Sequence, residues 1–338
     1  MRLLDLIAQA RTPLLVEHGV PAQVWRLQAA LDLAPQVLAC PLRYVLTDEL
    51  AFLCAELAYC SGDRLARCLD LVRFPASQLW IEWAERPALE GTAGFFGAAA
   101  AAEAEPGRRV GILLRSAQNG TQAVLHAVWS DQEQAIACPM EAVIDLRGVG
   151  FRAPAAESPY REWISVTETV PALAQLLDCA RFRFESSWAA YYARVADSRE
   201  LGASLVRDGL AGIARDVPMV MAFLLLLASR EGVALRPVSW EALNYKRARA
   251  GRAPLLNHVE AALALQCQAA AQPPRSECRG RFGPRRHHVR GHLVRRHNRV
   301  FWRRPHFRGN EFQGSVLTRT VRLSFERRAA RAAAAPAP

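Results

Sequence analysis

The chain reads as an α+β protein, with a mainly helical body, a small antiparallel β unit and a basic β-hairpin module at its C-terminus. Three observations predict this. Apolar residues recur at helical spacing through much of 1–72 and 168–270. An Asn-Gly dipeptide joins two alternating runs between 110 and 129. From 285 to 309, arginine, histidine and aromatic residues alternate with period two, the spacing of a strand. At about 100–200 residues per domain, 338 residues suit two or three domains. The expected organisation is a helical and β-hairpin region over 1–167, a helical region over 168–270, a linker over 271–284, a basic module over 285–328 and a disordered tail over 329–338.

In the first region, Val24–Leu33 and Leu50–Leu71 carry the helical spacing. Thr47 and Asp48 are suited to cap a helix over Leu50–Cys60, and Ser61-Gly62-Asp63 interrupts the pattern before Arg64–Val72. Gln78–Trp83 reads as a short strand. The alanine run within Gly97–Gly107 is low-complexity and reads as a surface connection. Val110–Ala117 and Gln122–Trp129 then flank Gln118-Asn119-Gly120-Thr121. Asn-Gly suits a two-residue turn because both positions need positive φ. Pairing Gln118 with Thr121 puts Val110, Ile112 and Leu114 on one apolar face with Leu125, Ala127 and Trp129. His126 falls opposite Leu113, as a half-buried strand residue.

In the second region the spacing predicts helices over Val170–Ala193, Ser198–Arg215, Pro218–Arg230, Ser239–Ala250 and Pro254–Ala270. Pro218 suits a first helical turn, and Gly232 and Gly251 suit helix ends. Gln268–Pro284, with Pro273-Pro274, reads as the linker.

Charge is distributed unevenly. From Arg275 onward there are 17 arginines and three acids, a local net of +14, while the preceding residues carry a net of −3. A mildly acidic body with a strongly basic end is the electrostatic footprint of a protein that meets nucleic acid or another polyanion. Lys246 is the only lysine. The eight cysteines form no C-x-x-C pair and read as reduced, mostly buried thiols, which argues against a zinc site built from cysteine pairs. Met1-Arg2-Leu3-Leu4-Asp5 lacks the pattern of a signal peptide. The longest apolar stretch, Met219–Ala228, is half the length of a membrane span and reads as a core helix. The expectation is a cytoplasmic protein with no membrane contact and no cofactor.

The candidate site lies in the basic module. Alternation puts Val289 and Leu293 on one face of the first half, and His288, Arg290 and His292 on the other. In the second half Phe301, Pro305 and Phe307 share a face, and Trp302, Arg304, His306 and Arg308 share its reverse. A three-residue loop, Arg296-His297-Asn298, would bring the two apolar sets together, and burial favours that register. One cationic surface would result. The expected nucleic-acid-binding residues are Arg285, Arg286, His288, Arg290, His292, Arg295, Arg296, Trp302, Arg303, Arg304, His306 and Arg308. Arginine forks match phosphate, and a tryptophan among cations can stack a base. DNA and RNA fit this reading equally.

Two other chemistries draw on the same residues. His288, His292 and His306 are candidates for general acid–base catalysis in a metal-independent nuclease. His287, His288, His292 and His306, with Cys278, could be considered as metal ligands, but the surrounding arginines raise the cost of binding a cation. A third reading has the basic face dock an acidic protein partner. Glu82, Glu85, Asp145 and Glu157 are scattered and read as surface or capping acids. There is no G-x-x-x-x-G-K-[ST], H-E-x-x-H or G-x-S-x-G pattern.

Three segments together carry a resemblance. They are Phe74-Pro75 leading to Trp80-Ile81-Glu82, then Leu243-Asn244-Tyr245-Lys246-Arg247 through Gly251-Arg252-Ala253-Pro254-Leu255, then His287-His288-Val289-Arg290-Gly291-His292 with Trp302 and His306-Phe307-Arg308-Gly309. The chain resembles uncharacterised proteins of tailed phages and prophages, in which N-x-x-R-x-x-x-G-x-x-P-L precedes an H-x-V-R-G-H…W…H-x-R-G module. The resemblance implies a phage or prophage setting, in a bacterial host cell, and no particular activity. Lys246, Arg247, Arg249 and Arg252 in the second motif either extend the basic surface or form an exposed helix end favoured by the macrodipole.

Overall fold

Strand β2 (Gln78–Ala84) is buried from Leu79 to Trp83, and the main sheet extends from it in both directions. The computed structural model describes residues 2–9, 28–92, 107–117, 120–131, 134–146, 179–184, 199–229, 232–264, 285–289, 291–296, 299–303, 306–308 and 310–316. On one side of β2, strands β3 (Arg109–Ser116), β4 (Gln122–Asp131), β5 (Gln134–Asp145) and β6 (Ala180–Phe184) follow as an antiparallel meander. On the other side, β1 (Leu42–Leu46) runs parallel to β2, β8 (His258–Leu263) runs parallel to β1, and β7 (Val233–Val238) closes the edge antiparallel to β8. The order in this mixed sheet is β6-β5-β4-β3-β2-β1-β8-β7.

This overturns the expectation of a mainly helical body, because an eight-stranded sheet organises it. The missed strands have physical reasons. β1 is five residues long and enters the core without a polar–apolar alternation. β5 contains Pro139 and several alanines, which have low strand propensity. Pro139 lies where the β4–β5 register shifts, between the His126–Glu141 and Val128–Ala137 pairs, so the ladder bends at the residue that cannot donate to it. Within Val170–Ala193 the described part is strand β6, and within Pro254–Ala270 it is strand β8, rather than helix. Short apolar runs do not distinguish strand from helix by period alone.

Helices cover both faces. α1 (Leu3–Gln9) and α2 (Gln28–Ala39) pack Leu3, Leu4, Ile7, Leu33 and Val37 against Trp80, Leu113 and Val128. α3 (Asp48–Cys60) makes the crossover between parallel β1 and β2, followed by the short α4 (Gly62–Ala66) and a 3-10 turn at Leu69–Leu71. Thr47 caps α3 as expected, its hydroxyl accepting from the Leu50 N–H at 3.4 Å. α5 (Glu85–Gly91) follows β2 directly. α6 (Arg199–Ala228) runs unbroken through Pro218, where two helices were expected. Its Met219–Leu226 segment is buried, and Phe223 meets the Tyr44 ring edge-on at 5.5 Å between centroids. Among the described residues no helix is long and apolar enough to cross a membrane. α7 (Glu241–Arg249) stands where the Ser239–Ala250 helix was expected, and Gly251 ends it with a φ of +64°.

The Asn-Gly hairpin has the expected register. Leu114 faces Leu125, Ile112 faces Ala127, Val110 faces Trp129 and Leu113 faces His126. His126 is more deeply buried than expected, 3.4 Å from the Glu141 carboxylate. The alanine run at 97–106, the 268–284 linker and the tail lie outside the described residues, as do most of Val170–Ala193 and the Asn119 position of the turn.

The chain divides into two units, residues 1–265 with 295–301, and residues 266–294 with 302–338. In the second, β9 (Arg285–Val289) lies between antiparallel β12 (His306–Arg308) and parallel β13 (Asn310–Val316). Strands β10 (His292–Arg296) and β11 (Arg299–Arg303) pair with each other.

Of the acids expected at the surface, Glu82, Glu85 and Asp145 are buried, and Glu157 lies outside the described residues. Glu82 is fully enclosed. Its carboxylate accepts the Leu3 and Leu4 N–H groups at 2.9 Å each, the Trp80 indole N–H at 3.3 Å, and the Arg109 guanidinium. The first N–H groups of α1 have no partner within the helix, so Glu82 supplies one and favours the helix dipole as well. Gly111 is the cross-strand neighbour of Glu82, and a Cβ there would lie 2.1 Å from the Trp80 ring. The glycine is what lets the indole lie flat across β3. Glu82→Ala leaves Arg109 without its buried partner and α1 without its anchor. The expected loss is about 3–5 kcal/mol in urea unfolding, and Glu82→Gln, which keeps the shape, should lose less.

Candidate nucleic-acid interface

The basic module forms β strands, as the period-two pattern predicted, but in a different register. His306 pairs with Val289, Phe307 with His288 and Arg308 with His287. Directly opposed positions share a face of an antiparallel pair. Positions 287, 289, 306 and 308 therefore share one face, and 288 and 307 share the other. The expected segregation of apolar from cationic positions does not occur here. Position 288 is not on the face of 306 or 308. Two residues, not three, separate β10 from β11. A two-residue spacing changes the parity of the pairing relative to the expected three-residue loop.

Burial along β10 and β11 shows which side chains are available. Leu293, Val300 and Trp302 are buried, while Arg296, Arg299 and Arg303 are exposed. Alternation places Arg296 with Val294 and His292 on one face of β10, and Arg299 with Phe301 and Arg303 on one face of β11. Trp302 is 8% exposed and shares its side of β11 with Val300, so its ring is not offered to a base. The aromatic residue beside the arginines is Phe301, half-buried.

Arg295 is already engaged. Its guanidinium forks onto both oxygens of Asp70 at 2.8 Å and also donates to the Arg67 carbonyl. Arg308 is exposed at the end of β12, and His292 is half-buried. Arg285, Arg286, His288 and His306 are placed here by backbone position alone, within β9 and β12. Arg290 and Arg304 lie outside the described residues, as does Cys278. Among the described residues no group of three or more His, Cys, Asp or Glu side chains could hold a metal ion. Six cysteines are described as free thiols, five of them buried and Cys60 exposed.

Three features escaped the sequence reading. Arg299 and Phe301 lie on the side expected to be apolar, yet Arg299 is exposed and Phe301 half-buried. Asp70 as the partner of Arg295 had no local signal, because 225 positions separate them. The N-x-x-R-x-x-x-G-x-x-P-L motif was visible, but its work was not. Asn244 both donates to the Leu255 carbonyl at 2.8 Å and accepts the Leu255 N–H at 2.7 Å, while Arg247 donates to the Ala253 carbonyl at 2.8 Å.

No protein family, curated protein or solved structure matches this chain.

A buried polar cluster on the α6 face is structural in geometry. Glu85 bridges Arg108 at 3.1 Å and Arg215 at 2.9 Å, and the Trp129 indole N–H donates to Asp216 at 3.2 Å. Burial pushes the Asp216 carboxyl up to about 7, against the lowering effect of Arg215 and the Trp129 hydrogen bond. A carboxyl raised in the fold holds a proton that the unfolded chain, near 3.9, has released. Stability from this group is therefore greatest in acid and is lost as pH rises from about 4 to about 7, then levels off. Unfolding free energies from urea titrations at pH 4.5 and 7.5 should differ less for Asp216→Asn than for the parent chain, by an amount on the order of 2–4 kcal/mol.

Proposed function

We propose that this protein binds nucleic acid through the cationic side of its C-terminal strands, acting by recruitment. The observation that carries this is the set of exposed arginines Arg296, Arg299 and Arg303, on strand faces whose reverse holds buried Leu293, Val300 and Trp302. They lie in a stretch where arginine outnumbers acid 17 to three. Arginine is weakly hydrated and planar, and its fork matches phosphate oxygens in pairs. Exposed Arg308 belongs to the same stretch. Arg295 contributes by holding its strand through Asp70 rather than by contacting ligand. Phe301 takes the place that the tryptophan had in the sequence reading. The resemblance to tailed-phage and prophage proteins supports a phage or prophage setting for this activity, within the bacterial host cell.

Fluorescence anisotropy with labelled single-stranded and duplex DNA and RNA, over a salt series, tests the reading. Each phosphate neutralised contributes about 0.7–0.9 to the log–log salt slope. The full chain should bind with a slope of about −3 or steeper. Replacing Arg296, Arg299 and Arg303 together by alanine should reduce that slope by about 2–3. Absence of binding at low salt by the full chain would rule the proposal out.

A further inference from the structure

Helix α7 presents a second surface that the hairpin reading leaves unexplained. It has no buried residue, and its Tyr245 is 68% exposed. A nine-residue helix without a buried face is marginal in water, because helices in proteins are stabilised mainly by packing. Polar clamps hold this one instead. Asn244 closes two hydrogen bonds with the backbone of Leu255, Arg247 donates to the Ala253 carbonyl, and the Asn257 side chain accepts the Trp240 N–H at 2.8 Å. Gly251, in the left-handed region, turns the chain so that the Arg252 N–H returns to the Arg247 carbonyl at 2.9 Å. Fixing a helix that buries nothing gives no packing return, and what it leaves in solvent is one cationic and aromatic surface.

That surface consists of Tyr245, Lys246, Arg249 and Arg252, all exposed. Tyr245 and Arg249 are one turn apart, with the guanidinium 5.9 Å from the ring centroid. From 245 to 252 there are four basic residues and no acid. The helix dipole favours cations at a C-terminus, which accounts for part of this. It does not account for an exposed tyrosine among them or for Arg252 beyond the helix end. Lys246 and Arg249, three positions apart, repel each other until an anion is present.

We infer that α7 and the turn after it form a contact for single-stranded nucleic acid, with a base stacked on Tyr245 and phosphates on Lys246, Arg249 and Arg252. An accessible aromatic ring among cations takes an unpaired base and gains little from a duplex, whose bases are already stacked. The ligand class rests on the proposed function; the surface and the strand preference are independent of the hairpin.

The test uses the full chain with a labelled 20-nucleotide oligo-dT and a labelled duplex of the same length. Tyr245→Ala should weaken oligo-dT binding about 5- to 100-fold, with little change for the duplex, and Tyr245→Phe should retain binding. Lys246→Ala, Arg249→Ala and Arg252→Ala combined should lower the oligo-dT salt slope by about 2. These side chains are exposed, so circular dichroism and the unfolding midpoint should match the parent. If the hairpin arginine variant loses binding while both α7 variants keep parental affinity and slope, this inference fails and the functional proposal stands. If polyglutamate displaces the probe as well as unlabelled oligo-dT does, the surface belongs to an acidic protein partner and the inference is overturned. If the parent chain binds neither probe, both readings fall.

Discussion

A carboxylate buried in the middle of a β-sheet decides how this fold is closed. Removing an ionised glutamate from water costs several kcal/mol even after the protein relaxes. Glu82 is tolerable because its donors converge from three elements: two backbone N–H groups of α1, an indole two positions back on β2, and the Arg109 guanidinium from β3. The same bonds that neutralise it fix where α1 enters and how its apolar side meets Trp80 and Leu113. Gly111 belongs to this arrangement, since any side chain there would push the indole away. The opposite face repeats the device. The Trp129 ring lies over Gly212 of α6 and donates to buried Asp216. On each face a tryptophan is seated over a glycine and joined to an acid, so helix placement is set by a few directional contacts within a non-directional apolar layer.

What could be read from the sequence followed how local the determinants were. The Asn-Gly hairpin was legible to the residue because its turn chemistry and its apolar alternation both lie within twenty positions. The α3 cap and the end of α7 were legible for the same reason, through Thr47 and Gly251. The sheet was not. β1 joins β2 and β8 joins β1 through parallel pairings, such as Leu42 with Leu79 and Tyr44 with Val259, and no local pattern encodes such partners. Glu82 was misread because an acid in a strand looks the same whether it faces solvent or meets a helix end 78 positions earlier. In the basic module the period was read correctly and the register was not. Alternation alone leaves the loop parity open, and one residue of parity moves Trp302 from a solvent face to a buried one.

The two motifs of the resemblance also differ in what their residues do. In the α7 segment, Asn244, Arg247 and Gly251 are spent on shaping the backbone, while the residues between them point outward. In this segment the motif residues set a backbone shape, and the side chains between them supply the exposed chemistry. The basic module inverts the relation. Its tryptophan is a buried packing residue, and its arginines supply the exposed chemistry.

Net charge is therefore a poor measure of the surface available to a partner. Of the arginines in the body, Arg2 is held by Asp5 and lies over the Trp240 ring, Arg109 is held by Glu82, and Arg108 and Arg215 by Glu85. Arg236 forks onto Glu260, and Arg295 forks onto Asp70. These cations are already paired with acids of the same chain. Among the described residues, exposed cations gather on the β10–β11 strands and on α7, while others such as Arg64, Arg73 and Arg308 stand elsewhere. The body's slight negative net charge reflects a small excess of acids over bases, and it conceals a local basic surface on α7 that a count over the whole region averages away. A polyanion responds to the local potential within a Debye length of about 10 Å, not to the regional sum.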